Sequence, residues 1–177
     1  MEWLSNIDIL NVMEQYETVY PDFLFVGPVP MDFATKLDNK SGRCVSHELC
    51  DVSLKTWHDS GVRRVGIVFN LDPHHMSGSH WVALFINISL GKIFYYDSYG
   101  MKESPEVTHL MNILKYQGTS HKLAESGQPY EIHANQRRHQ FKNSECGVYA
   151  CHFLSSMLEN DSDFDTFTQN GLNDTHR

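Results

Sequence analysis

The stretch HWVALFINISLGKIFYYDSYG, residues 80–100, constrains this chain more than any other. Two apolar, β-rich runs, 81–88 and 93–96, flank the turn Ser89-Leu90-Gly91-Lys92, so the segment reads as a β-hairpin. An antiparallel hairpin brings its two open ends side by side. His80, just before the first strand, and Asp97, at the end of the second, are therefore expected to be neighbours in space. With 177 residues, 41% of them hydrophobic, the chain can bury one substantial core around this hairpin, and a single unit over 1–177 is expected.

Other elements follow from pattern. In WLSNIDILNVMEQYE, Ser5 stands three residues before Asp8, and Ile9, Val12, Met13 and Tyr16 recur at helical spacing before Pro21; a first helix is expected there. FLFVGPVPMDF is apolar, but Pro28 and Pro30 confine it to an edge or extended segment. RRVGIVFNLD predicts a buried strand from Val65 to Asn70. In SPEVTHLMNILKYQG, Ser104 is the expected N-cap, Pro105 the first helical residue, and Gly118 the residue past the end. PYEIHAN reads as one more strand. From Cys146 onward, Ala150, Phe153, Leu154 and Met157 line one stripe, which puts Cys146 at the first turn of a helix with Ser144 as its N-cap.

Charge and cysteine content narrow the classes of function. The formal charge of −8 argues against a surface that tracks phosphates, since nucleic-acid binders concentrate Lys and Arg on one face. The basic pair Arg137-Arg138 reads as a solvated turn. No apolar run approaches the ~20 residues of a bilayer span, and MEWLSNID lacks the features of a secretion signal, so an intracellular location without membrane contact is expected. Four cysteines do not make a disulfide framework at this length, and free thiols are expected, with Cys44, Cys50 and Cys151 structural. The last residues, 160–177, are acidic and poor in anchors. They are expected to pack loosely or to open a last helix at NGLNDTHR.

Cys146 is different by position. The thiolate is the nucleophile, and the positive end of a helix favours an anion. A cysteine nucleophile needs a base and the base an orienting acceptor; His80 and Asp97 supply them. Gln140, six residues before Cys146, can set its amide beside the Cys146 backbone N–H as a pair of oxyanion donors.

These residues carry a resemblance. HW at 80–81 heading a hairpin, YYDS at 95–98 ending it, and QFKNSECGVYACHF with Gln140 and Cys146 resemble the adenain-like cysteine proteases. That group includes SUMO- and ubiquitin-like-protein-specific proteases and maturation proteases of large DNA viruses. EWLSNIDI is similar to the family's opening helix, so the likeness spans nearly the whole chain. It implies an α+β fold, with a mostly antiparallel sheet bearing the His and Asp packed against the helix that bears the Cys. It implies cleavage after Gly-Gly type sequences, with Trp3 and Trp81 walling a channel whose indole faces leave room only for glycine. The implied partner is a protein substrate, a viral polyprotein or a ubiquitin-like protein, acted on by a monomer without a cofactor.

The compact size and FLFVGPVPMDF are more like a viral member, acting in the host cytoplasm or nucleus or in the virion, and with the first family motif at the start of the sequence the long extension of cellular members is expected to be missing. Two alternatives share the triad or its frame. One is an acetyltransferase using acetyl-CoA, which needs a basic surface that this acidic chain does not offer. The other is an inactive module that binds ubiquitin-like proteins. A zinc site from His74, His75, His80 and a cysteine lacks the spacing that organises one, so no metal is expected.

Overall fold

The computed structural model describes residues 4–38, 40–71, 80–142, 145–160 and 163–170. Its order is α1 (Asn6–Val19), β1 (Phe23–Pro30), α2 (His47–Cys50), α3 (Leu54–Asp59), β2 (Arg64–Asn70), β3 (Trp81–Asn87), β4 (Lys92–Tyr96), α4 (Pro105–Ser120), β5 (Glu131–Ala134), α5 (Cys146–Glu159) and α6 (Phe164–Asn170). Among the described residues five strands form one sheet in sequence order, β1 to β5. The middle three strands pair antiparallel, and an edge strand joins in parallel on each side. β1 is an edge, as its prolines require, and its register with β2 shifts between Val26 and Val29.

The sheet is covered on both faces, which is why β3 is buried along its whole length. Side chains alternate across a strand. Val82, Leu84 and Ile86 join Leu110, Met111 and Leu114 of α4 in one core, while Trp81, Ala83 and Phe85 join Ile9 and Met13 of α1 and Phe153 and Leu154 of α5 in the other. The resulting α+β architecture sets α5, with Cys146 at its start, across the strands that end in His80 and Asp97.

Local chemistry explains the helix ends. Ser5 and Asp8 close a reciprocal capping box on α1, and Ser104 caps α4, with Pro105 at its start. Gly118 lies inside α4 rather than past its end. A side chain there would meet the Tyr130 ring at 2.4 Å, so the glycine serves a close approach of helix and ring, not a stop.

Three further expectations change. Cys44 and Cys50 are not free thiols but form a disulfide. Cys44 sits on an isolated bridge to Lys36 and Cys50 ends the short α2, which puts their Cα atoms 5.8 Å apart, within reach of such a bond. The N-cap of α5 is Glu145, and Ser144 lies outside the described residues. The acidic C-terminal stretch is not loose throughout, and its helix comes earlier than NGLNDTHR. α6 buries Phe164, which stacks on Phe94 at 4.8 Å, and sets Phe167 against Tyr96 and Phe153. Two phenylalanines three residues apart anchor it where composition alone suggested nothing would.

Candidate active site

The hairpin closes as its pattern requires. Ala83 pairs with Tyr96 in the β3–β4 ladder, so the residues just beyond, His80 and Asp97, meet across the open end. His80 Nε2 donates to Asp97 Oδ1 at 2.7 Å, and both side chains are buried. The other ring nitrogen, Nδ1, is buried and has no hydrogen-bond partner among the described nitrogen and oxygen atoms. The Cys146 side chain also interacts with the His80 ring, so Nδ1 is the nitrogen left to face the sulfur.

Burial alone would push His80 towards its neutral form. The hydrogen bond to Asp97 and the interaction with Cys146, with the charge of each, reverse that and lift the ring from 6.5 to about 9. The site thus favours the protonated ring.

Cys146 is buried and opens α5, whose N-cap residue, Glu145, makes no side-chain capping bond. Cys151, one and a half turns deeper, is held inert by burial, which raises its thiol to about 12.

Gln140 is fully buried on the loop between β5 and α5. Ser98, next to Asp97, fixes it three ways. Ser98 Oγ donates to Gln140 Oε1 at 2.6 Å, and the Ser98 carbonyl accepts from the backbone N–H of His139 at 2.8 Å and of Gln140 at 2.9 Å. With Oε1 accepting from Ser98, the amide nitrogen is oriented as the donor end. It donates to the Lys142 carbonyl and, at 3.5 Å, to the Tyr99 hydroxyl.

Several residues that sequence reading passed over support this frame. Tyr99 donates its backbone N–H to Asp97 Oδ1 at 2.9 Å and lays its ring 4.6 Å from that of His80. Asn135 stands in for one more rung of the β4–β5 ladder: its Oδ1 accepts from Asp97 N–H at 2.9 Å and its Nδ2 donates to the Asp97 carbonyl at 2.7 Å. His139 receives the Tyr96 hydroxyl on Nδ1 at 2.8 Å and donates Nε2 to the Thr168 carbonyl of α6 at 2.7 Å; burial pushes its pKa below the ordinary histidine value. Gly100, at φ +68°, has the backbone of residues 136–138 within 3 Å of where a Cβ would sit, so the loop lies directly against the turn that follows Asp97. Ser98 and Tyr99 were readable as immediate neighbours of Asp97; nothing in the sequence marked Asn135.

The two tryptophans fare differently. Trp81 opens β3, is 5% exposed, and lies beside the first turn of α5, 3.3 Å from where a Gly147 side chain would begin. Trp3 lies outside the described residues, as do His74 and His75 of the zinc reading.

Comparison with known proteins places the chain in a family and a fold. Residues 65–177 match the Ulp1 protease family, C-terminal catalytic domain. Over 174 residues, 97% of this chain, the sequence is 33% identical to a candidate thiol protease of Acanthamoeba polyphaga mimivirus, of which the chain spans 52%. Among solved structures, the ASFV pS273R protease superposes with a TM-score of 0.77 at 21% identity, covering 98% of this chain and 64% of that one. The Ulp1 protease domain in complex with SMT3, the yeast ortholog of SUMO, superposes with a TM-score of 0.59 at 16% identity, covering 92% of this chain and 68% of that one. The chain therefore spans about half the length of its curated relative.

Proposed function

Because the chain belongs to the Ulp1 protease family, we propose that it is a cysteine peptidase in which Cys146 attacks a scissile carbonyl and His80, oriented by Asp97, carries the proton. One observation carries this reading: a single imidazole holds a carboxylate on Nε2 while its remaining nitrogen is left to a thiol at a helix N-terminus. His80 takes the proton of the thiol, and the sulfur forms a bond to the carbonyl carbon. The oxygen gains the negative charge and is met by the backbone N–H of Cys146 and the amide of Gln140. As the C–N bond breaks, His80 returns the proton to the leaving amine. Water then attacks the thioester, giving its proton to His80, and the C–S bond breaks to release the acid, after which His80 returns the proton to the sulfur.

The substrate in this proposal is a protein chain cleaved after a Gly-Gly type sequence. The position of Trp81, packed beside the first turn of α5, supports it, with Trp3 proposed as the second wall. Viral relatives favour processing of a structural polyprotein over removal of a ubiquitin-like protein. The likeness to a domain that holds SMT3 keeps the second outcome as the comparison to make.

Substituting Cys146→Ser tests the reaction. Turnover of a Gly-Gly peptide by the variant is expected to fall at least ~10³-fold, and undiminished turnover would end the proposal. Polyprotein fragments, and ubiquitin or SUMO carrying a C-terminal electrophile, then separate the substrates by which of them reacts at Cys146.

A further inference from the structure

The pair Arg137-Arg138, a solvated turn by sequence, is split by the fold. Arg137 turns away and donates to the Gln169 carbonyl of α6 at 2.7 Å. Arg138 turns towards the site. Its Nε donates to the Gln140 carbonyl at 2.6 Å, and its guanidinium lies 4.9 Å from the centre of the Tyr99 ring and 5.3 Å from that of Phe141. Tyr99 in turn is the ring that lies on His80. One aromatic side chain therefore separates a fixed guanidinium from the proposed base.

The other described arginines each engage at least one terminal nitrogen with another group of the protein. Arg64 pairs with Asp22, Arg43 with Asp38, Arg63 donates to the carbonyls of His58 and Val62, and Arg137 donates to Gln169. Arg138 uses only Nε, and neither of its terminal nitrogens meets a carboxylate or carbonyl among the described residues. It is exposed, in a chain whose formal charge is −8. Two aromatic contacts and one hydrogen bond have already fixed its orientation, so a ligand that meets it loses little side-chain freedom. What remains is a planar pair of donors, the group that matches a carboxylate.

We propose that Arg138, clamped by Tyr99 and Phe141, is a specificity residue that accepts an aspartate or glutamate side chain of the substrate near the cleaved bond. The assignment rests on the peptidase reading only in taking the substrate chain to pass His80 and Cys146. With ~3.5 Å of extended chain per residue, a carboxylate within about three residues of the bond reaches a cation one ring beyond His80. Phe141, 63% exposed, gives the stem of that acidic side chain an apolar surface to lie on.

Binding rather than turnover provides the test. The Cys146→Ser protein, which leaves peptides intact, is titrated with fluorescein-labelled Gly-Gly peptides carrying one glutamate at each flanking position in turn, and with their glutamine counterparts. At one position glutamate is expected to bind about tenfold tighter than glutamine. Adding Arg138→Gln should bring that ratio below about twofold, whereas Arg138→Lys, which keeps the charge but not the planar fork, retains part of it. A glutamate preference at no position, or one that survives Arg138→Gln, overturns the proposal. Thermal melting of each variant checks that the loop still folds, and because every ratio compares two peptides on one protein, a general weakening of the site cancels. Tight, Arg138-dependent binding with no cleavage by the unsubstituted enzyme would defeat the peptidase reading and leave this one standing.

Discussion

The β3–β4 hairpin and the loop from 135 to 142 each deliver part of the proposed machinery, yet different bonds hold them. The hairpin brings His80 to Asp97 through a backbone ladder of consecutive pairs, Ala83 with Tyr96 to Asn87 with Lys92, and any sequence with the right alternation forms such a ladder. The loop brings Gln140 to the site through individual side-chain bonds: to backbone from Asn135 to Asp97, His139 to Thr168 and Arg138 to Gln140, and side chain to side chain from Ser98 to Gln140. Those contacts join residues as far as 42 positions apart. The proposed base and its acceptor rest on a regular element, and the proposed oxyanion donor rests on a chain of individual hydrogen bonds, so damage should be all-or-none in the first region and graded in the second.

The largest effect is expected at the hairpin. Asp97→Asn keeps the shape but removes the charge that opposes the imidazolium, and the amide no longer selects the tautomer with hydrogen on Nε2. The kcat on a Gly-Gly peptide should fall about 10³- to 10⁴-fold, with KM little changed. A loss under tenfold would mean that the loop, not the hairpin, fixes the base.

The same pair makes stability depend on pH. In the folded protein His80 holds its proton up to about 9, against 6.5 for the ordinary ring. Below 6.5 both states are protonated and the stabilisation is complete. Between 6.5 and about 9 only the folded ring keeps the proton, so stability falls as pH rises and levels off above. The loss should be on the order of a few kcal/mol across that window. Denaturant unfolding of the unsubstituted protein and of Asp97→Asn at several pH values checks it: the slope should be clearly shallower in the variant, and equal slopes would place the origin of the shift outside the hairpin.

The loop should respond more mildly. Ser98→Ala removes the 2.6 Å bond to Gln140 Oε1 but leaves both backbone bonds to the Ser98 carbonyl. The amide stays near its place and loses its fixed orientation, so kcat should fall about tenfold while KM and the melting temperature move little, as expected for one hydrogen bond to a neutral group. An unchanged kcat would show that the two backbone bonds suffice to aim Gln140.

This contrast also separates what was legible in the sequence from what was not. Period and turn chemistry marked the hairpin, the capped α4, the edge character of β1 and the stripe of α5, because each is a local property repeated along the chain. The meeting of His80 with Asp97 followed from strand geometry. The Cys44–Cys50 disulfide, the place of Gly118 against Tyr130 and the anchoring of α6 by Phe164 were not readable, since each depends on which distant surface the chain returns to. Arg138 shows the limit well. Its neighbour is the same residue type, and only the loop's path decides that one guanidinium faces α6 and the other the site.

Tyr99 bridges the two regions, and its substitutions should give the smallest effects and the finest discrimination. Its backbone N–H serves Asp97 whatever the side chain, so substitution leaves that bond in place. The hydroxyl receives Gln140 Nε2 only at 3.5 Å, the limit of a useful hydrogen bond, and Tyr99→Phe should change kcat less than about twofold. Tyr99→Leu removes the ring that lies on His80 and supports Arg138, and a loss of about fivefold is expected from the aromatic contacts alone. Initial rates on one Gly-Gly peptide, with alkylation of Cys146 by iodoacetamide as a substrate-free measure of the His80–Cys146 pair, distinguish the two sides. A ring that steadies the hairpin lowers alkylation and turnover together in the leucine variant. If the phenylalanine variant instead loses turnover as far as the leucine one while alkylating normally, the weak contact to Gln140 must tighten when substrate is bound, and the loop then depends on Tyr99 through its hydroxyl rather than through its ring.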